Sequence, residues 1–492
     1  MNQLNELVYL YQQSKTKTID PFVPKGSKMY LLFKGILDNT IKTDEEAAKL
    51  IYDTDKSDKR YLMLKKNLNK RLTRFILTST PIEFDTELYT NISFECQQEI
   101  VVVKLLLNNN IYHNAEKVLW RVIRKAEKFE LNNILLDCYQ CLTRIYSIQG
   151  EVSQLEQAQE KVEHYQHKHN CEQKYLRHLE LLQAMNKWNK GYSFELASQA
   201  MSFTKSIKKS CEVKSSIHCT YYYESINVYA AYHQTDIDAL EQHLKNIKTI
   251  FEENHFMAIP EHQLIYYLFS LRCSLMKGDI SNAFLLLEQC LELTDYDAFN
   301  KYEVQDLHFE LLLKTGDYEK ALEVLNEVYA TDHFSMLSPK DQSAWGLRKT
   351  YLHIFSDLEF SDEEIQNAIN IDQLTENCKP NNKDKRGYNL QLTIISYLVR
   401  SIFTEEELDG NSLKMYIQRY LKQSSDQRSL VFLRYVIKYF QRKKSDKDSL
   451  LFMQEQFERE MPNGYSIVEL FPYEYLFDYL LFPKEKENLL TT

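Results

Sequence analysis

Glycine and proline are scarce in this chain, with 10 and 9 among 492 residues. Average usage of about 7% Gly and about 5% Pro would supply roughly three times as many of each. Tight sheet turns and phosphate-cradling loops depend on glycine, whereas helices do not. The shortage therefore argues against a sheet-rich fold and for helix nearly throughout. No run of about 20 uninterrupted apolar residues occurs, so no membrane span is expected. A disulfide framework is missing too. Nine cysteines stand scattered at 96, 138, 141, 171, 211, 219, 273, 290 and 378, a pattern of reduced, buried thiols in a cytosolic protein. The first residues, Met1 to Glu6, show no basic segment leading into an apolar core, so no signal peptide is expected. Catalytic signatures are also lacking. Pro24 to Lys28 (PKGSK) does not have the glycine spacing of a phosphate-binding loop, and no GxGxxG, HExxH or GxSxG motif is found. No nucleophile, base and orienting group can be assembled from sequence. The expectation is a protein without enzymatic activity, cofactor or metal.

What is present is helical periodicity with a long repeat. Six turn cues carry markers at Tyr112, Val152, Tyr192, Ile237, Ile280 and Tyr318, separated by 40, 40, 45, 43 and 38 residues. Repeats of this length built from two helices stack into a solenoid. The clearest unit runs from Tyr302 to Tyr329. Val304, Leu307, Leu311 and Leu312 make one apolar stripe, the turn is Thr315-Gly316-Asp317, and Tyr318, Ala321, Leu322, Leu325 and Val328 make the next. Ala321 falls where two helices approach closely. The segment from Gly316 to Leu322, and Gly278 to Ile280 with Ala283, resemble tetratricopeptide repeats. The resemblance implies an all-α α-solenoid of helix pairs. Three regions follow: a helical head at 1–84, the repeat array at 85–350, and a C-terminal helical region at 351–492. The last closes on an aromatic tail with Phe471, Tyr473, Tyr475, Phe477 and Tyr479, expected to cap the final helix pair.

Charge divides the chain unevenly. Residues 1–80 carry 15 Lys and Arg against 9 Asp and Glu, and the remainder carries 45 against 61. A basic head on an acidic body implies different partners at its two ends, or docking of one on the other. In the head, Thr43 to Glu46 reads as a capping box opening a short helix. Ser57 and Asp58 open a longer one reaching about Leu77. Tyr61, Leu64, Leu68, Leu72 and Phe75 share one face of it. Lys59, Lys66, Lys70 and Arg74 share another, with Lys65 and Arg71 beside them. Cations one turn apart can follow successive phosphates or grip an acidic surface. The two helices make a candidate helix-turn-helix with 58–75 as the reading helix. A solvated face on a helix packed against the first repeat is the plainer alternative. Arg121, Arg124, Lys125 and Lys128 extend the patch or are ordinary surface charge.

Other clusters have plain readings. His164, His167, His169 and Cys171 have metal-ligand spacing but fit a solvated helix end. Cys138 and Cys141 have CxxC spacing inside an apolar helix, which points to buried thiols. Lys383 to Asn389 (KDKRGYN) is an anion-binding loop or a hydrated one. Exposed tyrosines on first helices, Tyr221, Tyr222, Tyr223, Tyr266 and Tyr267, are the candidate contacts for a protein or peptide partner, because three consecutive residues cannot all face a core. Taken together, Thr43 to Ala48, the repeats, Lys383 to Asn389 and Tyr416 to Leu421 resemble a group of long tetratricopeptide-like proteins of Bacteroidetes-type bacteria, which implies fold rather than role. The expected function is a cytoplasmic, non-enzymatic scaffold or adaptor that holds a protein or peptide. A nucleic-acid-binding regulator with a basic reading head is the alternative.

Overall fold

In a computed structural model of the chain, the structure describes residues 2–13, 23–78, 88–188, 194–209, 213–294, 298–331, 334, 337–356, 358, 387–403, 410–421, 427–441, 447–461, 466 and 469–481. Among the described residues every regular element is helical. The chain forms two compact units, 1–169 and 170–492. The turn at Gly191 and Tyr192, the thiols Cys211 and Cys378, Pro81, the helix start at Ser361, and Lys383 to Arg386 lie outside the described residues, as do parts of the aromatic tail.

The first unit begins with α1 (Asn2–Gln13), α2 (Lys28–Leu37), α3 (Asp44–Tyr52) and α4 (Lys59–Thr78). The capping box is formed. Thr43 Oγ1 accepts the Glu46 amide at 3.2 Å, and Glu46 Oε2 accepts the Thr43 amide at 3.1 Å. Leu4, Val8 and Tyr11 of α1 meet Phe33 and Ile36 of α2 and the apolar stripe of α4. On that stripe Tyr61, Leu68, Leu72 and Phe75 are buried, and Leu64 is half-buried. Next come α5 (Leu88–Asn108), α6 (Tyr112–Lys128) and α7 (Asn132–Gln149), each packed on its neighbour in sequence. Helix α8 (Val152–Trp188) starts in this unit and ends in the second.

The second unit continues with α9 (Phe194–Lys208), α10 (Ile217–Gln234), α11 (Ile237–Glu253), α12 (Pro260–Lys277), α13 (Ile280–Thr294), α14 (Ala298–Thr315), α15 (Tyr318–Ala330) and α16 (Pro339–Phe355). Each again packs on its neighbour in sequence, the arrangement of an all-α, solenoid-like fold. Five turn markers, Tyr112, Val152, Ile237, Ile280 and Tyr318, are the first residues of helices α6, α8, α11, α13 and α15. The cause is local. Gly278 and Gly316 stand at φ of +74° and +75°, ending α12 and α14 in the left-handed region where a side chain is strained. The aspartate after each then caps the next helix. Asp317 Oδ1 accepts the Lys320 amide at 3.4 Å, and Asp279 Oδ1 accepts the Asn282 amide at 3.1 Å. Thr235 fills the glycine slot before α11 at φ +58°, and Asp236 caps there. Ala283 and Ala321, three residues into their helices, are fully buried at the close approach.

Among the described residues the unit continues with α17 (Tyr388–Phe403), α18 (Gly410–Tyr416), which continues into a π turn at Ile417–Leu421, α19 (Gln427–Gln441) and α20 (Lys447–Glu460). The last described helix is α21 (Tyr473–Leu481). Phe471, Tyr473 and Phe477 of the aromatic tail are buried, while Tyr475 stays exposed. Tyr473 stacks on Phe432 of α19 at 4.1 Å, nearly parallel. Arg428 of α19 is buried with them. Its Nε donates to Glu469 Oε2 at 2.6 Å, and its Nη2 donates to Glu469 Oε1 at 2.8 Å and to Glu474 Oε1 at 2.7 Å. Burial disfavours the charged guanidinium, but the two carboxylates outweigh it and hold the Arg428 pKa above its usual value.

Candidate binding cavity and basic head

The second unit holds a cavity of about 190 Å3 whose wall carries seven charged side chains among its fifteen residues. The first helices of consecutive pairs supply it. Arg272 comes from the middle of α12. Glu303, Asp306 and Glu310 come from one face of α14, at a spacing of three and four residues that brings them into line. Trp345 and Arg348 come from α16. The last turn of α8 adds Asn186 and Lys187, and Gln391 of α17 adds an amide.

Their pairings are specific. Arg272 Nη2 donates to Glu303 Oε1 at 2.8 Å, and its guanidinium lies over the Tyr232 and Phe269 rings. Arg348 forms an ion pair with Asp306, donates from Nη1 to the Ala344 carbonyl at 2.9 Å, and lies over Trp345 at 5.3 Å. Glu310 lies 3.8 Å from Lys314 one turn on. Lys187 Nζ, at the rim, donates to Asn300 Oδ1 at 3.2 Å. Behind the wall, His233 Nε2 stands 3.0 Å from Asn186 Oδ1. Burial, with a smaller push from the Arg272 charge, drives the His233 pKa down to about 3, so the ring is neutral at pH 7.

A charge taken out of water costs several kcal/mol unless a partner and further hydrogen bonds offset it. The fold meets that requirement with a cation and a carboxylate on neighbouring first helices. The lining holds no Cys, Ser, Thr or His. Sequence reading missed all of these residues. The available signal was the i, i+3, i+7 series Glu303, Asp306 and Glu310 running beside an apolar stripe.

The tyrosine candidates divide. Tyr221 has no exposed surface and packs against His262 at 4.0 Å between ring centroids, so it belongs to the core and not to a partner face. Tyr222, Tyr223, Tyr266 and Tyr267 are half-buried. The basic row on α4 also divides. Lys65 is tied to Asp44, at 2.8 and 3.0 Å from its two carboxylate oxygens, and is not a free cation. Burial works against the Asp44 charge, yet the Lys65 and Tyr61 donors hold its carboxyl well below the usual range. Lys59, Lys66, Lys70 and Arg74 are exposed, and Arg71 is half-buried. Leu62 and Met63 on the same helix are 49% and 59% exposed. Arg121 and Lys125 of α6 pair with Glu99 and Glu95 of α5 at 3.1 Å, so two of the four residues that would extend the patch are tied to carboxylates.

His164, His167, His169 and Cys171 lie in the middle of α8, not at a helix end, because no Gly or Pro interrupts the 37 residues of that helix. Cys171 is buried. Among the described residues no group of three or more His, Cys, Asp or Glu is placed to hold a metal ion. Cys138 and Cys141 lie within α7, and burial raises both thiol pKa values. No helix of the described residues is long and apolar enough to cross a membrane. In comparisons with known proteins, no family model, no curated protein and no solved structure matches the chain.

Proposed function

We propose that this is a non-enzymatic, cytoplasmic scaffold or adaptor whose tetratricopeptide-like helix pairs hold a protein or peptide partner. The observation that carries the reading is the charged cavity among α12, α14 and α16. A wall of fixed ion pairs with two aromatic rings, Tyr302 and Trp345, suits recognition, since a few aromatic and Arg anchors supply most of the affinity at such surfaces. The half-buried Tyr222, Tyr223, Tyr266 and Tyr267 offer a second area of contact. Purification of the tagged chain from its native host, with nuclease treatment, is expected to yield a stoichiometric protein partner. Substitution of Tyr222 and Tyr223 by Ser is expected to weaken its retention. A chain that purifies alone under gentle conditions would overturn the reading.

A second reading rests on α4, whose Lys59, Lys66 and Lys70 are exposed and enter no ion pair among the described residues. As a nucleic-acid-binding surface it gives an expected result. Lys66→Glu, Lys70→Glu and Arg74→Glu together should abolish binding of a labelled duplex or single strand, and wild-type binding should fall steeply with salt. Equal retention by parent and variant rules this reading out. The exposed Leu62 and Met63 favour an acidic protein surface over phosphates at this face, because phosphate contacts draw on charge and gain nothing from apolar side chains.

A further inference from the structure

The cavity in the second unit carries more detail than its role as a contact surface. It is small. A water molecule takes up about 30 Å3 of the liquid, so 190 Å3 has room for about six waters, or one residue-sized organic group. Its charges balance. Lys187, Arg272 and Arg348, with Lys314 behind Glu310, face Glu303, Asp306, Glu310 and Asp341. A simple anion or cation entering such a wall gains on one side what it loses on the other, whereas a group bearing both signs meets complementary charge at each end. One donor is also unused. Arg348 is 5% exposed, and its Nε finds no hydrogen-bond acceptor among the described residues. The guanidinium is already fixed by Asp306, the Ala344 carbonyl and the Trp345 ring, so little rotamer freedom remains to be lost on binding.

We propose that this cavity binds a residue-sized group carrying both a carboxylate and a cationic nitrogen, with the carboxylate toward Arg348 and the nitrogen toward the carboxylates of α14. The inference rests on the binding role proposed above and specifies its ligand. Two sources present this chemistry: a free amino acid, and the end residue of a peptide whose C-terminal carboxylate accompanies a basic side chain. The walls Tyr302, Leu307 and Trp345 accommodate the apolar part of either.

Isothermal titration calorimetry on the full chain tests it. One arm uses leucine, lysine and glutamate with their N-acetyl and carboxamide analogues. The other uses tripeptides ending in lysine, with free or amidated C-termini. Expected is saturable binding in at least one arm, weakened about tenfold or more by removing either charge, as loss of one charge-assisted bond implies. The arm that binds identifies the source. Arg348→Lys, which keeps the charge and loses the Nε donor, is expected to weaken the same probe about tenfold while melting within a few degrees of the parent. The comparison of capped with uncapped probes needs no variant and stands if Arg348→Lys misfolds. Absence of binding in both arms, or equal binding of capped and uncapped probes, overturns the proposal. If a protein partner is retained while neither arm of the titration binds, the scaffold reading survives and this inference does not.

Discussion

Arg428→Met is expected to destabilise the C-terminal helices by about 3–5 kcal/mol, the cost of leaving a buried charge without its partner. Glu469 is the stranded group, since its side chain is 2% exposed. Its Oε1 would keep the Tyr473 amide at 2.7 Å, but both guanidinium bonds would be gone. Hydrogen exchange reads the effect locally. Amides of α19 and α21 should exchange about two to four orders of magnitude faster, at about 1.4 kcal/mol per tenfold. Adding Glu469→Leu should recover much of the loss, because an apolar pair often replaces a buried ion pair without penalty. Glu474 is partly exposed and can turn to water. Exchange within tenfold of the parent would show that the network specifies the position of the aromatic tail without stabilising it.

The second large effect is a loss of stability in mild acid. His233 is pushed down to about 3 and His262 to about 4, each chiefly by burial. An unfolded histidine titrates near about 6.5. Between those values the unfolded chain holds protons that the folded chain does not. The stability is therefore complete above about pH 6.5 and falls as the pH drops from there toward 4 and then 3. Each histidine contributes about 1.4 kcal/mol per pH unit in that window. His233→Gln retains an amide for Asn186 and removes the titration. Denaturant unfolding at pH 7.5 and 5.0 should show a pH-dependent loss smaller by about 2 kcal/mol in the variant. An identical loss in both proteins would mean that His233 is protonated in the folded chain.

The helix boundaries were legible because the signals that set them are local. A residue in the left-handed region, an aspartate cap and a small residue three positions into the helix occur together within eight residues, as at Gly316, Asp317 and Ala321. The cavity was not legible, because its logic is not local. Arg272 meets Glu303 and Arg348 meets Asp306 only after the intervening helix hairpins fold back. A single charge within an apolar stripe reads as a surface residue until its partner is known. Tyr221 to Tyr223 show an intermediate case. Helical geometry required that the three differ in burial, but only packing against α12 decided that Tyr221 is the one inside. Lys65 shows the same limit, since its spacing placed it beside the basic row and the aspartate that claims it comes from α3.

The cysteines give this architecture a built-in record of its own motions. Cys96, Cys138, Cys171, Cys219, Cys273 and Cys290 sit on α5, α7, α8, α10, α12 and α13, all shielded. Burial holds Cys96 and Cys273 up at about 11 and Cys290 at about 12, so in the closed state almost no thiolate forms at neutral pH. An alkylating reagent can reach each one only when its own helix lifts from its neighbours. In a stack where each element touches chiefly the next, such openings are separate events rather than one collapse. The order in which these thiols are modified is therefore a helix-by-helix chronology of where the array parts first.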